Sequence, residues 1–248
     1  MTALLSAGES WRVAALTMMG PKELAAALSG ENRVAWIEAA AACGIAEALV
    51  RLGRMNLEGE GVRRNEQAAF RHFRVAAAQG DIEAHNMLGR CYENGWGTIK
   101  DHDAAMASYR VAAEGGLDWA QYNLGHMHLA AGDRKAAFGC YGGAAAQGHV
   151  RAMNLLGRCH EQGWGTARNS RRALFWYRQS ARGGYFRGAF NYASQLAERG
   201  LLKSAGRWLE RALAWAPEAT RSNMISILRR TGRSACRPPA PHVPGAGA

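Results

Sequence analysis

Leu88-Gly89-Arg90-Cys91-Tyr92-Glu93-Asn94-Gly95-Trp96-Gly97 returns almost unchanged as Leu156-Gly157-Arg158-Cys159-His160-Glu161-Gln162-Gly163-Trp164-Gly165. A copy this close within one chain marks construction by repetition, so the period has to be found before anything else is read. Gly53, Gly89, Gly125 and Gly157 each follow a Leu, at spacings of 36, 36 and 32, and Ala193 takes the slot 36 residues later. Three further columns keep step: Ala69, Ala105, Ala137, Ala173 and Ala205; Phe73, Tyr109, Tyr141, Tyr177 and Leu209; Ala76, Ala112, Ala144, Ser180 and Ala212. Gly80, Gly116, Gly148 and Gly184 close the first four units. Five repeats therefore run through 45–216.

Each repeat reads as two helices. Ala84, Leu88, Gly89 and Tyr92 recur at i, i+4, i+5 and i+8, one face of a helix that Gly95-Trp96-Gly97 then breaks. Ala105, Tyr109, Ala112 and Ala113 form a second face, closed by Gly115-Gly116. A Gly inside a helix costs about 1 kcal/mol against Ala. Its return at one slot predicts that the aromatic of the second helix packs on bare backbone there. Repeats three and five lack the Gly-x-Gly turn and are four residues shorter, at Ala130-Ala131-Gly132-Asp133 and Arg199-Gly200-Leu201-Leu202.

The pattern A-x-x-x-L-G-x-x-Y-x-x-G-x-G, followed by an aromatic and A-A-x-x-G, resembles Sel1-like repeats, relatives of tetratricopeptide repeats. Repeats one, two and four match that form. Repeats three and five are closer to the tetratricopeptide form, with Ala205, Leu209, Ala212 and Pro217 fitting its second helix. The resemblance implies an all-α fold, a right-handed α-α superhelix (solenoid) of helix pairs. It also implies a non-enzymatic scaffold or adaptor for protein–protein interaction, of the class that works in bacterial signalling and assembly. The paired cysteines of secreted, cysteine-rich Sel1-like proteins are missing, so their disulfide-linked form is not implied.

Residues 1–44 are expected to hold N-terminal helices, over 3–19 and from Pro21 to Leu28, with a partial repeat at Val34 to Gly44. Residues 217–232 read as a capping helix, with Met224, Ile225 and Leu228 turned inward, because the last repeat of a stack needs a polar outer side. Residues 233–248, rich in Pro and Gly, read as a disordered tail.

Composition removes several classes of function. No run of about 18 apolar residues exists, so no membrane span is expected. The start lacks the charged opening of a secretory signal, which favours a cytoplasmic location. An odd count of five cysteines with no CxxC argues against a disulfide framework or zinc site, and Cys91 and Cys159 read as small buried residues. The formal net charge of +11 is uneven: residues 1–149 carry 14 Lys+Arg against 16 Asp+Glu, and residues 150–248 carry 17 against 4. Such a skew fits an acidic partner or nucleic acid. It equally fits an Arg- and Ala-rich genome composition.

No catalytic set, cofactor motif or metal-ligand spacing is found. His126 and His128 stand two apart and do not share a helix face. Gly95-Trp96-Gly97 lacks the Lys-Ser or Lys-Thr of a phosphate loop, and reads as a turn that folds Trp over the helix junction. The informative polar feature is a column. The slot after each packing Gly holds Arg54, Arg90, His126 and Arg158, and three residues before that Gly lie Asn86, Tyr122, Asn154 and Phe190 in repeats two to five. Asn86/Arg90 and Asn154/Arg158 are i,i+4 pairs. These eight residues are the expected partner-binding set, in a groove for an acidic or carboxylate-ended segment of a protein. The alternative is a nucleic-acid-associated protein using the basic C-terminal third.

Overall fold

In the computed structural model, residues 32–230 are described, with Ala15, Met19, Gly20, Lys22, Glu23, Ala26 and Gly30 upstream of them. The helices expected over 3–19 and 21–28 fall almost wholly outside the described residues, as do the tail and the side chain of Leu228. Twelve helices and no strands occur among the described residues. They are α1 (Arg33–Ala42), α2 (Ala46–Glu58), α3 (Glu66–Ala78), α4 (Ile82–Asn94), α5 (His102–Glu114), α6 (Asp118–Ala130), α7 (Arg134–Ala146), α8 (Val150–Gln162), α9 (Ser170–Arg182), α10 (Phe186–Glu198), α11 (Leu202–Trp215) and α12 (Glu218–Arg230). The chain divides into two compact units, residues 1–124 and 125–248. In each unit, helices pack on their neighbours in sequence, and the first helix of one repeat also meets that of the next: α2 meets α4, and α8 meets α10. The fold is all-α, built of solenoid-type helix pairs.

Helix starts follow from side-chain capping. Asn65, Asp101, Asp133 and Asn169 each accept a hydrogen bond from the backbone N–H three residues on, at 2.9 Å in every case. This satisfies a donor that the first turn otherwise orphans. A backbone bond also fastens the second helix of three repeats to its first. The amide of Asn65 donates to the Asn56 carbonyl, that of Asp101 to Tyr92, and that of Asn169 to His160, at 2.7–3.0 Å.

The helix pairs lock through one contact. A Cβ placed on Gly53 would sit 2.5 Å from the Phe73 ring; on Gly89, 2.7 Å from Tyr109; on Gly125, 2.6 Å from Tyr141; on Gly157, 2.7 Å from Tyr177. All four rings are fully buried. In repeat five the aromatic becomes Leu209 and the facing residue becomes Ala193, both in one core cluster. A smaller knob meets a shallower hole, so the total volume is kept. The same trade occurs once more: Ser180 replaces the usual Ala of its column, and Gly188, whose Cβ would strike the Ser180 side chain, replaces the Ala found in that slot of every other repeat. The Ser180 hydroxyl is satisfied by donating to the Val150 carbonyl at 2.7 Å.

At the C-terminal end, α12 places Met224 in a cluster with Ala212 and Ala216, against which Phe186, Phe190 and Trp208 pack. Ile225 is half-buried.

Replacing Gly157 by Ala is expected to lower stability by about 1–3 kcal/mol through overpacking, despite the better helix propensity of Ala. The same change at Gly142, which has open space around it, is expected to leave stability equal or higher. Urea denaturation of both variants checks the pair.

Candidate functional site

The residues expected to contact a partner separate into different roles. Arg90 and Arg158 are exposed, and each guanidinium lies over an indole: Arg90 over Trp96 and Arg158 over Trp164, both 5.0 Å from the ring centroid. The Trp arrives there because Gly95 and Gly163 end α4 and α8 in the left-handed conformation, at φ 78° and 75°. That turn folds the next residue back along the helix just completed. Gly97 and Gly165 then press on neighbouring backbone. A Cβ on Gly97 would lie 2.8 Å from the Gln67 Cα, and one on Gly165 would lie 2.9 Å from the Lys135 Cα. The turn is pinned between repeats, and the Trp with it. Neither Arg90 nor Arg158 forms an ion pair among the described residues.

Arg54 has no such Trp, because Glu60 stands in that slot. It pairs with Glu83 instead, and Glu60 pairs with Arg33 at 2.7 Å. Arg therefore stacks where the turn carries Trp and pairs with a carboxylate where the turn carries Glu.

Asn86 and Asn154 do not share the exposure of the arginines one turn later. Asn86 is 7% exposed and its Oδ1 accepts from Asn123 at 3.0 Å; Asn154 is 4% exposed and its Oδ1 accepts from Asn191 at 2.8 Å. Both tie the first helix of one repeat to that of the next. Tyr122 is half-buried, edge-on to Trp119 at 6.1 Å. His126 is edge-on to Tyr141 at 5.7 Å. Phe190 packs against two core clusters. The expected set of eight thus contains an exposed pair, an ion-paired Arg54, two buried amides and three residues engaged with neighbouring rings or core.

Trp96, Trp164, Glu93 and Glu161 were absent from the expected set and belong beside it. The Tyr109 hydroxyl donates to Glu93 at 2.6 Å, and that of Tyr177 donates to Glu161 at 2.9 Å. Glu161 also accepts from Gln195 at 2.8 Å. Burial, joined by the adjacent carboxylate, pushes both phenols well above their ordinary range. In repeats two and four the ring that fills the glycine hole thus also holds a carboxylate in place. The residue that follows each of these arginines is a buried thiol. Burial pushes Cys91 up to about 12 and Cys159 up to about 11. His160, 3% exposed, is edge-on to Phe138 at 5.4 Å, and burial followed by the Arg172 charge lowers its pKa. Among the described residues no group of three or more His, Cys, Asp or Glu is placed to hold a metal ion. Among the same residues no helix is long and apolar enough to cross a membrane.

The sequence profile of the Sel1 repeat matches residues 46–81, 82–117, 120–149 and 150–185, more than half of the chain. The chain belongs to the Sel1 repeat family. Solved structures agree on the fold. A Sel1 repeat protein from Oxalobacter formigenes superposes with a TM-score of 0.74 at 24% identity, over 86% of this chain and 91% of that one. The protein c5321, a protective antigen of uropathogenic Escherichia coli, gives a TM-score of 0.70 at 24% identity, again over 86% of this chain. This chain spans about half of c5321, 48% of its length. The immunity protein Pa5087 of Pseudomonas aeruginosa gives 0.51 at 16% identity, over 78% of this chain and 84% of its own. No curated protein matches by sequence. Sel1 repeats generally form protein–protein interaction scaffolds without catalysis.

Thiol reactivity checks the burial of Cys91 and Cys159. With iodoacetamide at pH 8 and peptide mapping, exposed Cys43 is expected to label in the native protein, whereas Cys91 and Cys159 label only after denaturation, because both remain thiols and inaccessible.

Proposed function

We propose that this Sel1 repeat chain is a non-enzymatic scaffold that grips acidic segments, or a C-terminal carboxylate, of a partner protein through Arg90 and Arg158. The observation that carries the reading is the twice-built Arg–Trp pair, exposed and without a carboxylate of its own among the described residues. The cation–π contact with the indole holds the guanidinium in place and lowers the entropy of placing it. The guanidinium offers a fork of N–H donors that matches a carboxylate, and in Arg90 the weak bond from Nη1 to the Met87 sulfur is the contact a carboxylate would replace. Each site is complete within its own unit, so each binds one acidic group independently. Arg54 is a weaker third position, since a partner carboxylate has to displace Glu83. Tyr122, His126 and Phe190 supply apolar or aromatic flanks, and Asn86 and Asn154 act by fixing the spacing of the first helices.

A charge-assisted contact of this kind contributes about 1.5–3 kcal/mol where water is partly excluded, and less where it is not. The buried free thiols of Cys91 and Cys159 suit a reducing, cytoplasmic setting.

Reversing both arginines, Arg90→Glu with Arg158→Glu, is expected to abolish capture of the partner from native cell extract while helical CD and Tm stay near wild type. Quantitative mass spectrometry of matched pull-downs reads this. Unchanged capture by a folded double variant would place the contact elsewhere.

A further inference from the structure

We infer that the outer face of α9 is a binding surface for single-stranded nucleic acid, separate from the Arg–Trp sites. On this helix Arg171, Phe175, Arg178 and Arg182 follow at i, i+4, i+7 and i+11, which gathers them in one sector about 60° wide. All four side chains are exposed, Phe175 to 49%. The helix contains no acidic residue, and none of these arginines forms an ion pair among the described residues.

Packing does not call for this composition. The slot of Phe175 holds Arg71 in α3, Ala107 in α5, Gly139 in α7 and Arg207 in α11. The Phe175 ring meets Trp176 edge-on at 5.1 Å and still leaves about half of its surface exposed, open to a ligand in the middle of a cationic stripe. At 1.5 Å per residue the guanidinium-bearing positions stand about 10 Å and 6 Å apart along the axis, steps on the scale of successive phosphates in an extended strand. Arg pairs with phosphate oxygens through its planar fork. An exposed aromatic between such cations is the stacking platform that an unpaired base seeks. An acidic peptide satisfies the charges but offers no regular planar ring for Phe175. A membrane surface needs several apolar side chains to insert, and the sector presents one.

The test is fluorescence anisotropy with a labelled 20-nucleotide uridine RNA and the matching thymidine DNA, at 50 and 200 mM NaCl. Three phosphate contacts predict a loss of affinity of about twentyfold between the two salts. Arg171→Ala with Arg178→Ala and Arg182→Ala is expected to abolish most binding and flatten the salt response. Phe175→Ala is expected to weaken binding about tenfold with the salt response kept, and Phe175→Tyr to restore it. Removing three exposed arginines from the other unit, Arg71→Ala with Arg74→Ala and Arg110→Ala, is expected to change little. The inference is overturned if the oligonucleotides do not bind, or if the two triple variants lose binding equally. It is also overturned if poly-glutamate or phosphatidylserine vesicles bind the stripe as tightly as the RNA. Arg90→Glu with Arg158→Glu leaves this binding intact, so failure here and failure of the acidic-segment reading are distinguishable.

Discussion

Everything in this chain depends on two helices of a repeat coming close enough for a bare stretch of backbone to receive an aromatic ring. The glycine that permits this costs about 1 kcal/mol of helix propensity. The ring it admits recovers more, since fully burying a large apolar side chain contributes about 1.5–3 kcal/mol. Tight seating then makes volume a shared property of two positions. Where the ring shrinks to Leu209, the hole fills to Ala193, and where Ala gives way to Ser180, its neighbour gives way to Gly188. A single-residue view would call these substitutions irregular; as pairs they conserve one contact.

The same contact positions the chemistry. Tyr109 and Tyr177 end in a polar contact, because their buried hydroxyls reach Glu93 and Glu161. The first helix is thereby fixed at its last turn, from which the left-handed glycine and the pinned Gly-Trp-Gly segment carry the indole back beneath Arg90 or Arg158. A rigid pair of helices, a rigid turn and a guanidinium held over an indole follow one from another.

The columns of Gly, aromatic and Ala were legible in the sequence because each recurs at a fixed offset, and the small-against-large logic of the helix pair is visible in them. The Arg slot was legible too, but not what holds it. Trp96 lies six residues beyond Arg90, a spacing that places two residues on different sides of a straight helix; only the turn brings them together. The buried amides were misplaced for a related reason. Asn86 sits three residues before its glycine, and Asn123 two before its own, so the pair that actually bonds lies on a diagonal between columns. Reading down one column set Asn86 beside Arg90 as a ligand group, whereas the cost of leaving an amide buried without a partner makes the Asn–Asn bond its first obligation. The basic C-terminal third was legible as an excess of charge with Arg171, Arg172, Arg178, Arg182, Arg187 and Arg207 as candidates for one patch; the narrower sector of α9 that sets Arg171, Arg178 and Arg182 around Phe175 needed the helix bounds.

The claim at the centre of this account is that glycine and ring act as one unit, and a double-mutant cycle in repeat five measures it directly. Leu209→Tyr alone has no room beside Ala193, and Ala193→Gly alone leaves a void beside Leu209. Combined, they recreate the pair used by the other repeats. Urea unfolding of the four proteins is predicted to give a favourable coupling of about 1–3 kcal/mol between the two substitutions. Effects that simply add would show that the glycine column and the aromatic column are independent, and would contradict the account.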